Sequence, residues 1–242
     1  MRLLLISNST NAGEAYLDYP KDNIREFLGS KKVTALFIPY AAVTFSYDEY
    51  EEKVRTRFRE VGHDVISIHH FSDPSKAVME AAAIVVGGGN TWMLLKCVRE
   101  KKLIGLVRNK VIAGTPYIGW SAGSNLACPT IMTTNDMPVT SPSSFKALNL
   151  IPFQINPHYL DANPAGHAGE TREQRILEFI EVNRNTFVAG LREGTMFLIE
   201  GKKLSLTGQR GARIFKYGTD PLEIRPGQDL SFLLKKKNIT IK

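Results

Sequence analysis

The stretch that decides the fold is Pro116-Tyr117-Ile118-Gly119-Trp120-Ser121-Ala122-Gly123-Ser124-Asn125-Leu126-Ala127-Cys128. Its first half, Pro116–Trp120, reads as a buried strand, and Ser124–Cys128 is compatible with a helix. Between them lies Gly-x-Ser-x-Gly, the setting of a sharp strand-to-helix turn that lifts a serine hydroxyl above a sheet. The amide of Ala122, at the helix start, is then placed to donate to a developing oxyanion. A turn built from small residues with no chemistry fits the pentapeptide alone equally well.

Working outward, short apolar runs at Leu3–Ser7, Val33–Pro39, Val65–His69 and Ala82–Val86 alternate with amphipathic segments. One such segment carries Tyr47, Tyr50, Val54, Phe58 and Val61 at helical spacing behind a Ser46-x-x-Glu49 capping box. Strand alternating with helix predicts right-handed crossovers and a mostly parallel sheet covered on both faces. Beyond the loop-rich stretch Pro129–Pro142, the spacing predicts one helix over Arg172–Asn183, behind Thr171-x-x-Gln174. Short strands follow at Phe187–Leu191, Met196–Glu200, Lys203–Leu206, Arg213–Phe215 and Leu222–Ile224, partly as antiparallel hairpins. With no linker or repeat, residues 1–242 are expected to form a single α/β domain with added C-terminal strands.

Composition is that of a globular protein, with 43% hydrophobic and 23% charged residues, and no apolar run long enough to span a bilayer. The apolar start runs directly into Asn8-Ser9-Thr10 and reads as a first strand rather than a leader, so a cytoplasmic location is expected and the sequons at Asn8 and Asn238 carry no glycan. Cys97 and Cys128 are far apart and read as free thiols. The net charge of +7 is spread along the chain apart from Lys235-Lys236-Lys237. Without an aromatic-interleaved basic patch it predicts neither nucleic acid nor membrane as partner, and it suits a small acidic substrate.

Gly87-Gly88-Gly89-Asn90 also follows an apolar strand and opens a helix, Thr91–Arg99. It lacks the Gly-Lys-Ser/Thr ending of a phosphate loop, so the amide of Gly89 is expected to face that of Ala122 as the second half of an oxyanion hole. Asn90 is a candidate substrate contact. A serine needs a base. Of five histidines, His63, His69 and His70 flank a strand and read as structural, and His167 sits in a polar loop. His158 follows Phe153–Pro157 and is best placed. The base needs a carboxylate. Glu193, after Phe187–Leu191, is one candidate; Asp136 is its rival and Asp161 a weaker one. Gly89, Ser121, His158 and Glu193 each fall just after a predicted strand, so parallel strands would gather them at one carboxyl edge of a sheet. The order Ser121, His158, Glu193 differs from the Ser, acid, His of α/β-hydrolases, whereas Asp136 would restore it.

These segments resemble the peptidase E family of serine aspartyl dipeptidases. The resemblance is carried by Leu3–Thr10, Val86–Thr91, Tyr117–Ala122, Leu126–Thr130, Thr133–Pro138, Gln154–His158 and Gly169–Ile176, and covers essentially the whole chain, the C-terminal fifth least. It implies a fold like that of class I glutamine amidotransferases, with serine in place of cysteine. It implies Ser121 as nucleophile, His158 as base, Glu193 as acid with Asp136 nearby, and Gly89 and Ala122 as oxyanion donors. It further implies cleavage of dipeptides with N-terminal aspartate, without metal or other cofactor. Ser124 departs from the alanine of relatives. A short acidic side chain calls for a cation, for which Arg172, opening its helix, is the candidate; a solvated surface arginine is the plainer reading. The alternatives are another serine acyl hydrolase on the same scaffold, or a ligand-binding relative without turnover. A monomer or weak homo-oligomer is expected.

Overall fold

A computed structural model describes residues 1–235; Lys236, Lys237 and the Asn238 sequon lie outside the described residues. The five N-terminal strands are β1 (Arg2–Ile6), β2 (Thr34–Ile38), β3 (Asp64–Ser67), β4 (Ile84–Val86) and β5 (Tyr117–Trp120), and their pairings are all parallel. They read as continuous apolar runs because both faces are covered. In β1, Leu3 and Leu5 pack into the core on one face, while Leu4 and Ile6 pack into the core on the other. Helices α1 (Lys21–Leu28) and α2 (Tyr47–Glu60) cover the second of these faces through Ile24, Phe27, Tyr50, Val54 and Phe58. Helices α3 (Pro74–Glu80), α4 (Thr91–Glu100), α5 (Leu103–Ile112) and α6 (Ala122–Ala127) cover the first. Both capping boxes form, at Ser46–Glu49 and at Thr171–Gln174, the latter opening α7 (Arg172–Val182).

The later strands are β6 (Gln154–Tyr159), β7 (Val188–Arg192), β8 (Thr195–Glu200), β9 (Lys203–Gly208), β10 (Ala212–Phe215) and β11 (Leu222–Ile224). They divide between two sheets. The hairpin β8–β9 extends the main sheet antiparallel beside β1, giving the order β3-β2-β4-β5-β1-β8-β9. The others form a second sheet ordered β11-β10-β7-β6, in which β6 and β7 are parallel. Its apolar side chains, among them Ile155, Ala189, Leu191 and Ile214, join the same core as Leu3, Val86 and Leu126.

The expectation of one carboxyl edge is therefore corrected. Gly89 and Ser121 follow β4 and β5, neighbours in the main sheet, whereas His158 and Glu193 belong to β6 and the end of β7 in the second. Two parallel strand pairs, one from each sheet, direct their ends at each other. The chain crosses from β7 to β8, and so from one sheet to the other, through Glu193-Gly194.

Candidate active site

Ser121 sits between β5 and α6 at φ 51° and ψ −111°, a conformation that costs a non-glycine residue about 1–3 kcal/mol. The surroundings enforce it. The Ser121 amide donates to the Ile6 carbonyl (3.0 Å), and its own carbonyl accepts from the amides of Ser124 (2.9 Å) and Asn125 (3.0 Å). The turn is pressed so close to the sheet that a Cβ on Gly123 would lie 2.2 Å from the Val86 carbonyl oxygen. That is the steric reason for the last glycine of Gly-x-Ser-x-Gly. Ser124, fully buried, fits here too, because its hydroxyl lies within hydrogen-bond reach of the Ile6 (2.8 Å) and Gly119 (2.9 Å) carbonyls.

His158 also has positive φ, 53°, at an irregularity where the β6–β7 register slips between Pro157 and Tyr159. Its amide donates to Ser7 Oγ (3.0 Å), and that hydroxyl donates to the Leu191 carbonyl (2.7 Å). Ser7, just past β1, thus ties the main sheet to β6 and β7 of the second. Held this way, His158 places Nε2 2.9 Å from Ser121 Oγ and Nδ1 2.7 Å from Glu193 Oε1. Glu193 is oriented by its turn, in which the Gly194 amide donates to Asn8 Oδ1 (2.8 Å). Tyr19 donates to the same oxygen (2.8 Å); burial, and next its hydrogen bond to Asn8 and the charge of Glu193, act on its phenol, with burial raising its pKa well above the usual range. An imidazole between a hydroxyl and a carboxylate can take the proton of the first while the second holds its tautomer.

Gly89 (φ 126°) packs so that a Cβ would meet the Ala41 carbonyl oxygen at 2.4 Å. Among the described residues, the amides of Gly89 and Ala122 have no acceptor. Gly88 and Gly89 line a cleft of about 620 Å³ together with Ser121 and His158. Its walls carry Tyr16, Phe45, Tyr50 and Trp120, and its charged groups are Glu49 and Lys53. Burial pushes the Tyr50 phenol up to about 12, keeping it a donor to the Gly88 carbonyl (2.9 Å).

Other candidates lie elsewhere. Asp136 does not reach His158. Its Oδ2 accepts from the amide (2.8 Å) and hydroxyl (2.5 Å) of Thr91 and from Thr134 (3.0 Å), fastening the 133–138 loop to the start of α4. Asp161 is bound to Arg192, whose guanidinium holds its carboxyl below the usual range. Asn90 is not among the residues lining the Ser121 cleft. Its Oδ1 caps α4 at the Met93 amide (3.0 Å) and its Nδ2 donates to the Met137 carbonyl (2.9 Å), so it ties the start of α4 to the 133–138 loop. Arg172 lines a neighbouring cavity of about 210 Å³ with Asp136 and Asn156 rather than the Ser121 cleft. Burial, and then the nearby Arg175, lowers its pKa, while Asp136 opposes the fall. Sequence reasoning missed Ser7 and Asn8, although both are polar residues directly after an apolar strand, the pattern that marked the others. It also missed Lys53, whose helical position gave no signal.

Peptidase family S51 matches residues 3–207. Peptidase E of Nostoc sp. is 51% identical over 99% of each chain, and Peptidase E of Salmonella paratyphi A is 46% identical over 94% of this chain and 99% of its own. Among solved structures, a peptidase from an acI-B1 Actinobacterium superposes with a TM-score of 0.67 at 16% identity, covering 96% of both chains. A protein from Listeria monocytogenes superposes with a TM-score of 0.62 at 24% identity, over 86% of this chain and 98% of its own; at these identities both speak to the fold alone. With the family's sequence signature spanning the strands, the glycine loop and the serine turn, the chain belongs to peptidase family S51 and is a peptidase.

Proposed function

We propose that this peptidase hydrolyses dipeptides with an N-terminal aspartate through an acyl-enzyme on Ser121. The observation that carries the mechanism is the continuous relay from Ser121 Oγ through His158 to Glu193, at 2.9 and 2.7 Å. Ser121 Oγ attacks the carbonyl carbon while His158 Nε2 takes its proton. Glu193 accepts from Nδ1–H and stabilises the imidazolium. The free amides of Gly89 and Ala122 receive the oxyanion. His158 then protonates the departing amine, and a water, activated by the same imidazole, releases aspartate and restores the serine.

Substrate choice is supported by the family and by the cations near the site. Arg172 supplies a fork suited to a carboxylate, next door, and Lys53 lies within the Ser121 cleft. Hydrolysis of Asp-Leu beside Asn-Leu and Glu-Leu tests the reading. Asp-Leu is expected to be cleaved at least 100-fold faster in kcat/KM than Asn-Leu, roughly the discrimination of a paired carboxylate. Arg172→Met is expected to collapse that ratio. A ratio unchanged in Arg172→Met and lost in Lys53→Met moves recognition to Lys53, and equal cleavage of Asp-Leu and Asn-Leu by the wild type refutes the specificity.

A further inference from the structure

Outside the Ser121 cleft, the fold assembles four ligand-type side chains that the sequence keeps apart. Asp48 and Glu51 lie one turn apart on α2, and His69 and His70 form the 3-10 turn that ends β3. One donor atom from each lies within 4.8 Å of all the others. His69 Nε2 is 2.9 Å from Asp48 Oδ1, which is 3.7 Å from His70 Nε2; His70 Nε2 is 2.5 Å from Glu51 Oε2. A tetrahedral zinc ion with bonds near 2.0–2.2 Å sets its ligands roughly 3.3–3.6 Å apart, so small adjustments convert these contacts into a coordination shell.

The outer contacts have the form that a metal site needs. His69 Nδ1 is 2.6 Å from Ser67 Oγ, a partner able to accept from Nδ1–H, the tautomer in which Nε2 presents its lone pair to the cluster. Glu51 is buried, and its other oxygen, Oε1, accepts from Arg55 (2.5 Å) and from the Ser67 amide (2.7 Å), leaving Oε2 for the cluster. The two imidazole rings stand 4.0 Å apart. A divalent ion among these four groups would take Nε2 of each imidazole and one oxygen from each carboxylate, with Arg55 remaining on the far oxygen of Glu51.

We infer that Asp48, Glu51, His69 and His70 form a binding site for a zinc-like divalent transition ion, with imidazole and carboxylate ligands favouring zinc over calcium or magnesium. None of the four lines the Ser121 cleft, so the ion takes no part in the acyl chemistry. Its place is structural: it joins α2 to the end of β3. The same helix carries Tyr50, which holds the Gly88 carbonyl at the cleft.

The test uses the full-length protein, stripped by chelator, dialysed, and titrated with zinc chloride by calorimetry. One equivalent is expected to bind and to raise Tm by roughly 5–10 °C at about a hundred-fold excess over Kd. The double variant His69→Asn/His70→Asn is expected to lose both the binding and the rise. His158→Asn is expected to retain them, which separates this site from the triad. Asp48, largely exposed, provides a mild control: Asp48→Asn is expected to weaken binding at least ten-fold while lowering the metal-free Tm by no more than roughly 2–4 °C. No heat in the wild type, an unchanged isotherm in the histidine or Asp48 variants, or loss of binding in His158→Asn overturns the proposal.

Discussion

Ser121 and His158 are both held at φ near +50°, a region that non-glycine residues avoid. In each case a hydrogen bond to the first strand or the residue after it fixes the backbone: Ile6 for the serine, Ser7 for the histidine. The side chains are thereby aimed by the sheet rather than by a loop. Glu193 contacts the imidazole, whereas Asp136 spends its carboxylate on Thr91. Glu193→Gln is therefore expected to cut kcat by about 10³–10⁴-fold, because an amide can hold the wrong tautomer. Asp136→Asn is expected to cost activity about ten-fold or less and to lower stability by about 1–3 kcal/mol, the loss of charge-assisted bonds at α4. Steady-state kinetics and thermal melts of both variants check this, and the reverse ranking would reassign the acid. Ser121, His158 and Glu193 were legible in the sequence because polar residues directly after apolar runs stand out. The choice between the two acids was not, since both occupy turns and only tertiary contact separates them. The capping role of Asn90 was not read from the sequence, because an asparagine before a helix serves equally as a ligand contact and as a cap.

At the scale of elements, close approach of backbones matters more than propensity. Gly123 on α6 faces the Val86 carbonyl oxygen, whereas Gly105 on α5 would direct a Cβ into open space. The same substitution should thus have opposite signs. Gly123→Ala is expected to destabilise by about 1–3 kcal/mol through overpacking and to displace Ser121, lowering kcat/KM. Gly105→Ala is expected to stabilise by about 0.4–1 kcal/mol by restricting the unfolded chain. Denaturant melts of the pair measure both, and two changes of the same sign would contradict the packing argument. The strands and both capping boxes followed from periodicity, with ends shifted by a residue or two. Their partition between sheets did not, because a short run such as Phe153–Pro157 looks the same in either sheet. The Asp48, Glu51, His69, His70 cluster was illegible for the same reason: its halves meet only when α2 packs beside β3.

Over the whole molecule, two sheets share one core, and their strand ends meet where the chain crosses through Glu193-Gly194. Ser7 and Asn8 lock that meeting by bonding to Leu191, His158 and Gly194. No helix among the described residues is long and apolar enough to cross a membrane. Ser121 follows a strand of the main sheet, whereas His158 and Glu193 belong to strands of the second, so the relative placement of the two sheets sets the Ser121–His158 distance. The central claim, that this junction makes Ser121 the acylated residue, is tested most directly by rapid acid quench during turnover of an aspartyl ester, followed by mass mapping of the trapped protein. The account predicts an aspartyl adduct on the peptide containing Ser121, with no adduct and turnover reduced about 10⁴-fold or more in Ser121→Ala. An adduct on another residue, or a Ser121→Ala enzyme that keeps a tenth of wild-type turnover, would contradict it.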